Sequence, residues 1–424
     1  MELPAIPVEE ALRSRLDPAM TMDVETPRRS ETAVTSVALT IAVCFCVALL
    51  EGFDIQALGI SLGKLTNEFG LDGSQRTLLT TFSSVGIVLG AIVGGRLADF
   101  LGRKPVLMGA VAAFGLFTLG MIAAPSFIAL FVFRVLAGLG FGAALPIMMA
   151  IAAEISTPER KAFTGAVMFS GMPAGGGSSA LLVQYLGADF DWRSLFLIGG
   201  LLPFVVVPAI YVLLPETRAR STVSQESPGD IAHALFNEGR LAPTLLLWAT
   251  FLPTLTILYL ILNWLPTLMA AKGLGGSVPA QATMLFNYGS VGGALLFGGF
   301  VDRIGARWPL VFSYATLMIC LLALSRVTEA PTALMLSALT GFLLLGANYA
   351  LYGIAAAYYP KRVRGTGSGA CVSVGRVGSI LGPLLAGIWL SGGTAAAQVI
   401  VYMAPFAAVA ALAVHTLGRY PHGE

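Results

Sequence analysis

Twelve long apolar runs, separated by short polar turns, make up most of the chain. Six fall near 33–62, 77–98, 105–124, 127–152, 163–187 and 194–214. A polar stretch at 215–241, containing SQESPGD, follows them. Six more fall near 242–270, 280–301, 308–327, 331–357, 366–390 and 395–417. Each run is about 20 residues or longer, enough for a helix to cross a bilayer core of roughly 30 Å. The pattern predicts an all-α polytopic membrane protein with 12 transmembrane helices arranged as six plus six. It also predicts a polar tail at 1–32, bundles at 33–214 and 242–418, a central loop at 215–241 and a short tail at 419–424.

The chain turns on one polar segment, GGRLADFLGRK at Gly94–Lys104. It lies between the charge-free runs Thr77–Gly95 and Pro105–Ala124, so it must be a tight loop at a membrane surface. The segment recurs as GGFVDRIGAR. Gly95, Asp99, Gly102 and Lys104 match Gly298, Asp302, Gly305 and Arg307, and Pro158–Arg160 is echoed by Pro360–Arg362. Two halves of one chain therefore carry the same loop in the same place. An internal repeat across hydrophobic segments is a mark of secondary transporters, with the substrate site where the halves meet.

Composition agrees. The chain is 56% hydrophobic and 11% charged, with mean hydropathy +0.81, against about 25% charged residues in soluble domains. The formal net charge of +2 selects no class of partner. The placement of the 25 lysines and arginines is more telling. Most fall in the tails and in the loops after the even-numbered helices, including Arg103, Lys104, Arg160, Lys161, Arg218, Arg303 and Lys361. The alternate loops hold Lys64, Arg76, Arg193, Lys272 and Arg326. Positive residues are retained inside, so both termini are expected in the cytoplasm. Residues 1–32 lack the apolar core of a cleavable signal. Cys44, Cys46, Cys320 and Cys371 all sit in apolar runs and read as packing residues, and no Cys/His spacing suits zinc. The glycines at 138–142 lie inside a spanning helix, with no preceding strand and no following lysine, so they do not form a nucleotide loop. No metal, cofactor or nucleic acid is expected.

Four charged residues stand out deep inside the apolar runs, away from their ends: Glu51, Asp54, Arg134 and Arg376. A charge at the bilayer centre costs at least about 2.5–3.5 kcal/mol, and such residues are functional by default; structural pairing is the alternative. Helix 1 runs outward and helix 4 inward, which places Asp54 and Arg134 at the same depth, about 10–12 Å below the outer surface. They are expected to approach one another. Glu51 and Asp54 are spaced i, i+3 and share a face. Two carboxylates that close, in low dielectric, do not both ionise readily, which is what a proton carrier needs. A Glu51 kept neutral by hydrogen bonds to backbone is the plainer reading. Arg376 lies near the midplane of helix 11 and cannot be neutralised by deprotonation. Its partner is either a carboxylate substrate bound bidentately or Glu51 or Asp54 reaching across.

Pro173, in GMPAGGGSS, and Pro383, in GRVGSILGP, interrupt helices 5 and 11. Prolines and small residues there permit bending and close approach, so either gating or packing explains them.

The sequence resembles the major facilitator superfamily. GGRLADFLGRK is similar to its signature between helices 2 and 3, although Phe100 stands where a basic residue is usual. FRVLAGLGFGAALP, with Arg134, is similar to the helix-4 motif, and PETR at 215–218 to the end of helix 6. Within the superfamily, EGFDIQALG, with Glu51, Asp54 and Gln56, resembles the acid-Gly-x-Asp signature of the aromatic acid:proton symporters. LNWLP at 262–266 and GRVGSILGPLLAG at 375–387 look like the same family. The resemblance implies two pseudo-symmetric six-helix bundles and proton-coupled uptake of a small aromatic monocarboxylate by alternating access. It implies a bacterial cytoplasmic membrane location and a monomer. It also implies that Asp99 meets the N-terminus of helix 11 when the cytoplasmic side is shut. In that picture Gly95, Asp99, Gly102, Arg103 and Asp302 belong to the gate, with Arg103 pairing with Glu154 or Glu159. Glu51, Asp54 and Arg134 couple the proton. Arg376 and Gln56 bind substrate, with Asn263, Trp264, Asn287, Tyr288, Asn348 and Tyr352 as candidates for the ring slot, since an aromatic ring needs an apolar pocket with few polar contacts. Two alternatives remain: a proton-driven exporter of amphipathic compounds, and a symporter of a non-aromatic acid. The early position of Pro173 argues against the exporter, whose relatives carry Gly-Pro late in helix 5.

Overall fold

The computed structural model describes residues 31–155, 161–187, 189–214, 235–237, 239–360 and 363–420. Its long elements are twelve helices: α1 (Glu31–Phe69), α2 (Gly73–Leu101), α3 (Arg103–Ile122), α4 (Phe127–Ile155), α5 (Lys161–Leu186), α6 (Trp192–Leu213), α7 (Leu241–Ala271), α8 (Val278–Ile304), α9 (Arg307–Arg326), α10 (Ala330–Ala357), α11 (Arg364–Ser391) and α12 (Ala396–Leu417). Among the described residues, eleven are long and apolar enough to cross a membrane. The remaining one, α8, has 27 residues, about 40 Å at the usual rise.

Local chemistry sets the boundaries. Asp72 caps α2, accepting from the Gln75 amide at 2.7 Å while the Gln75 side chain accepts from the Asp72 amide at 3.1 Å. This reciprocal box satisfies two of the amides a helix start leaves free. Asp191 caps α6 by accepting from the Arg193 amide at 3.0 Å. The repeated loop is visible in the backbone: Gly102, between α2 and α3, has φ 92°, and Gly305, between α8 and α9, has φ 78°. Only glycine adopts such angles without strain, so the repeat places its glycine where the chain must reverse.

The packing has a two-fold pattern. In the first half α1 packs on α5, α2 on α4 and α3 on α6; in the second α7 packs on α11, α8 on α10 and α9 on α12. Adding six to each number converts one set into the other. Between the halves, α5 meets α8 and α2 meets α11, again exchanged by the same shift, and α1 meets α7 at the centre. Glycines make the closest approaches. A Cβ on Gly90 or Gly142 would strike backbone across the α2–α4 seam, and one on Gly289 or Gly341 would do so across α8–α10. Small residues let backbones approach closely where lipid supplies no hydrophobic drive between helices.

The two ends of the bundle differ. At the far end, away from the chain termini, Gly73 and Thr77 of α2 touch Ser391 and Gly387 of α11. Gly176 and Gly177 of α5 lie against Asn287 and Tyr288 of α8. At the terminal end, Gly95 on α2, Gly165 on α5, Gly353 on α10, and Gly365 and Gly369 on α11 have no neighbour within 4 Å of a Cβ position.

Candidate functional site

The first half builds a closed ionic knot. Asp54 on α1 is fully buried and forms an ion pair with Arg134 on α4, itself 1% exposed. Thr118 on α3 donates to Asp54 Oδ1 at 3.0 Å, and Arg134 Nε donates to Ser83 Oγ on α2 at 3.1 Å. The Phe141 ring lies 6.0 Å from the guanidinium. The expected approach of Asp54 and Arg134 is thus present as direct contact. Four helices supply the charge pair with hydrogen bonds, the condition under which a buried pair is tolerated.

Glu51 is different. It is 1% exposed, and neither carboxyl oxygen has a hydrogen-bond partner among the described residues. Its charged neighbour is Arg376 on α11, in the other half of the molecule. The sequence spacing makes Glu51 and Asp54 near neighbours on one face; the structure gives them different charged partners, Arg134 for Asp54 and Arg376 for Glu51. Three residues are 300° of helix, leaving the two side chains about 60° apart, and Arg134 draws Asp54 into the first half. A carboxylate without donors costs several kcal/mol in such surroundings. Glu51 is therefore comfortable only with a proton or with a cation brought close. The hydrogen bonds to backbone that would keep it permanently neutral are not there.

Arg376 is half-buried and donates to Tyr259 Oη on α7 at 3.2 Å. No carboxylate lies within ion-pair distance of it among the described residues. Tyr352 on α10 lies in the same electrostatic neighbourhood and meets the Phe251 ring edge-on, with centroids 5.6 Å apart. Tyr349, one turn away, donates to the Phe169 carbonyl on α5 at 2.9 Å. The centre of the molecule thus offers a fork of cationic donors, an unsatisfied acid and aromatic walls.

The remaining candidates divide into two groups. Gln56 donates to the Leu262 carbonyl on α7 at 2.8 Å and accepts from Asn287 Nδ2 on α8 at 3.1 Å. Asn287 also donates to the Thr283 carbonyl at 2.9 Å. These two amides hold the halves together as much as they line a site. Asn263 donates to the Tyr259 carbonyl one turn back in its own helix, at 2.8 Å. Trp264 and Asn348 are buried, and Trp264 Nε1 and Asn348 Oδ1 lack hydrogen-bond partners among the described residues. Tyr288 is 38% exposed and packs on Gly177 of α5, beside the contact of Asn287 with Gly176.

Among the gate residues, Gly102 forms the α2–α3 turn and Arg103 pairs with Glu154. Asp99 is exposed, and Gly95 faces open space. Pro173 lies inside α5, and Pro383 is buried inside α11. Glu159 and the side chain of Asp302 lie outside the described residues. Sequence reasoning missed Tyr259, Ser83 and Thr118. Tyr259 is the one polar side chain in the run ILYLIL, a signal that could have marked it.

The sequence profile of the Major Facilitator Superfamily matches residues 44–324 and 282–424. The chain belongs to the major facilitator superfamily. Within the superfamily it is 36% identical to the 3-(3-hydroxy-phenyl)propionate transporter of Escherichia coli K12 over 93% of this chain and 97% of the relative. It is 32% identical to the gallate transporter of Pseudomonas putida, over 90% of this chain and 92% of the relative. Identity to the 4-hydroxybenzoate transporter of Pseudomonas aeruginosa is also 32%, over 91% and 93%. Among solved superfamily structures, a D-xylose-proton symporter superposes with TM-score 0.72 at 16% identity, over 92% of this chain and 98% of that one. That likeness carries the fold and nothing finer.

Proposed function

We propose that the protein takes up a small aromatic monocarboxylate together with protons by alternating access, acting as a monomer in a bacterial cytoplasmic membrane with both termini inside. The observation that carries this reading is the pairing of opposites across the central seam. Glu51 is buried without a hydrogen-bond partner, and Arg376 opposite it holds a phenol rather than a carboxylate. A substrate carboxylate against Arg376 completes that guanidinium with two parallel charge-assisted hydrogen bonds. Its arrival withdraws the positive field from Glu51, which then takes a proton. The aromatic walls of Tyr352 and Phe251 suit a ring, and the relatives named above transport phenolic acids. The halves meet through α2–α11 at the far end, while nearer the terminal end the Tyr349–Phe169 hydrogen bond joins α10 to α5 and several glycines face open space; the described state is read as inward-facing. Asp99 in its exposed position fits that reading, because its expected contact with the start of α11 forms only when the cytoplasmic side closes.

Energetics favour coupling. Bringing a monoanion into a negative-inside cell is opposed by about 2.3 kcal/mol per 100 mV; one accompanying proton cancels that term. The test is uptake of radiolabelled 3-(3-hydroxyphenyl)propionate into proteoliposomes with and without an inwardly directed proton gradient. Accumulation only with the gradient supports symport. Gradient-independent accumulation, or net efflux against the inward gradient, contradicts it.

A further inference from the structure

A second charged cluster lies far from the central site, where α9 begins and α12 ends. His415 Nε2 is 3.4 Å from Arg307 Nη2 and 3.4 Å from Arg419 Nη2. An imidazole nitrogen has one lone pair, so it cannot satisfy two guanidiniums, each with five N–H donors. Arg307 Nε is buried and has no hydrogen-bond partner among the described residues. Among the described residues, no carboxylate pairs with either arginine. Spare cationic donors from the start of α9 and the segment just after α12 therefore converge with no anion among the described residues.

The surroundings say what kind of anion fits. Trp308, in T-shaped contact with His415 and under the Arg307 guanidinium, is 60% exposed. Phe312 follows it by one turn on the same face of α9 and is 68% exposed, and Leu412, one turn before His415 on α12, is also 68% exposed. The charged cluster thus caps an apolar track running along two helices toward the membrane core. An indole at this level is the usual interfacial anchor, and basic pockets between helix ends hold anionic headgroups.

We propose that Arg307, Arg419 and His415 bind the phosphate of an anionic membrane lipid, with its acyl chains lying over Trp308, Phe312 and Leu412. The site is independent of the central one and of the transport reading. Native mass spectrometry of the purified protein, titrated with phosphatidylglycerol, phosphatidylethanolamine or inorganic phosphate, tests it. Wild type should retain phosphatidylglycerol in preference to phosphatidylethanolamine. Each arginine near an anionic surface contributes about 1 kcal/mol, so Arg307→Gln with Arg419→Gln should weaken phosphatidylglycerol retention by about 30-fold. Arg419 is exposed; the single Arg419→Gln variant leaves the fold undisturbed and should weaken retention by about fivefold. Replacing both arginines by lysine should keep most of it. Equal retention of the two lipids, no change in Arg419→Gln, or inorganic phosphate competing as well as the lipid would overturn the proposal.

Discussion

Replacing Arg376 by lysine isolates the part of the site that recognises a carboxylate. Lysine keeps the charge and the long stem but loses the planar fork. In the structure one guanidinium nitrogen is engaged by Tyr259 Oη at 3.2 Å, leaving the other edge to grip a bound acid. Losing the second arm of a bidentate grip removes one hydrogen bond to a charged group, worth about 1.5–3 kcal/mol. At 1.4 kcal/mol per factor of ten, binding should weaken by about 10- to 100-fold. The assay is calorimetric titration of purified protein with 3-(3-hydroxyphenyl)propionate and, separately, with its neutral amide. The amide has no carboxylate to grip and should bind both proteins equally weakly. Melting temperature is followed in parallel; Arg376 is half-buried within α11 and lysine keeps its charge and stem, so it should barely move. Acid affinity unchanged within a factor of two, or an equal loss for acid and amide, would refute the clamp.

Further outcomes follow from the packing and the ionic knot. Asp54→Asn strands a buried arginine and should cost about 3–5 kcal/mol of stability, read as a lower melting temperature; combining it with Arg134→Gln should recover much of the loss. Gly175→Ala places a methyl on the Leu49 carbonyl of α1 and should cost about 1–3 kcal/mol through overpacking. Gly165→Ala, in the same helix but facing open space, should instead stabilise by up to about 1 kcal/mol; thermal melts in one detergent compare the two.

The helices and their two-fold arrangement were legible because each spanning run is long, apolar and bounded by charge, and because the repeated loop fixed the equivalence of the halves. The Asp54–Arg134 contact was legible for a simpler reason: two opposite charges at one depth in low dielectric have few other places to go. The environment of Glu51 was not. Spacing along α1 places it beside Asp54, but whether it looks into its own half or across the seam depends on helix rotation, which α5, α6 and α7 set through packing. Tyr259 was hidden for the same reason, since one tyrosine in an apolar run reads as core until Arg376 is found against it. Asn287 and Tyr288 show the limit in miniature. They are adjacent in sequence and both lie against α5, yet 100° of helix turn gives Asn287 a hydrogen bond to Gln56 while Tyr288 packs its ring on Gly177.

The account centres on Glu51 as the group that takes the proton when substrate occupies Arg376. Glu51→Gln keeps the shape and fixes the neutral form, so it should separate exchange from coupled transport. Proteoliposomes loaded with unlabelled 3-(3-hydroxyphenyl)propionate and placed in labelled substrate measure exchange, which needs no net proton movement; an imposed proton gradient measures accumulation. The account predicts that Glu51→Gln retains exchange at near wild-type rate and loses gradient-driven accumulation. Accumulation that persists in Glu51→Gln, at the wild-type level and with the wild-type dependence on pH, would contradict it.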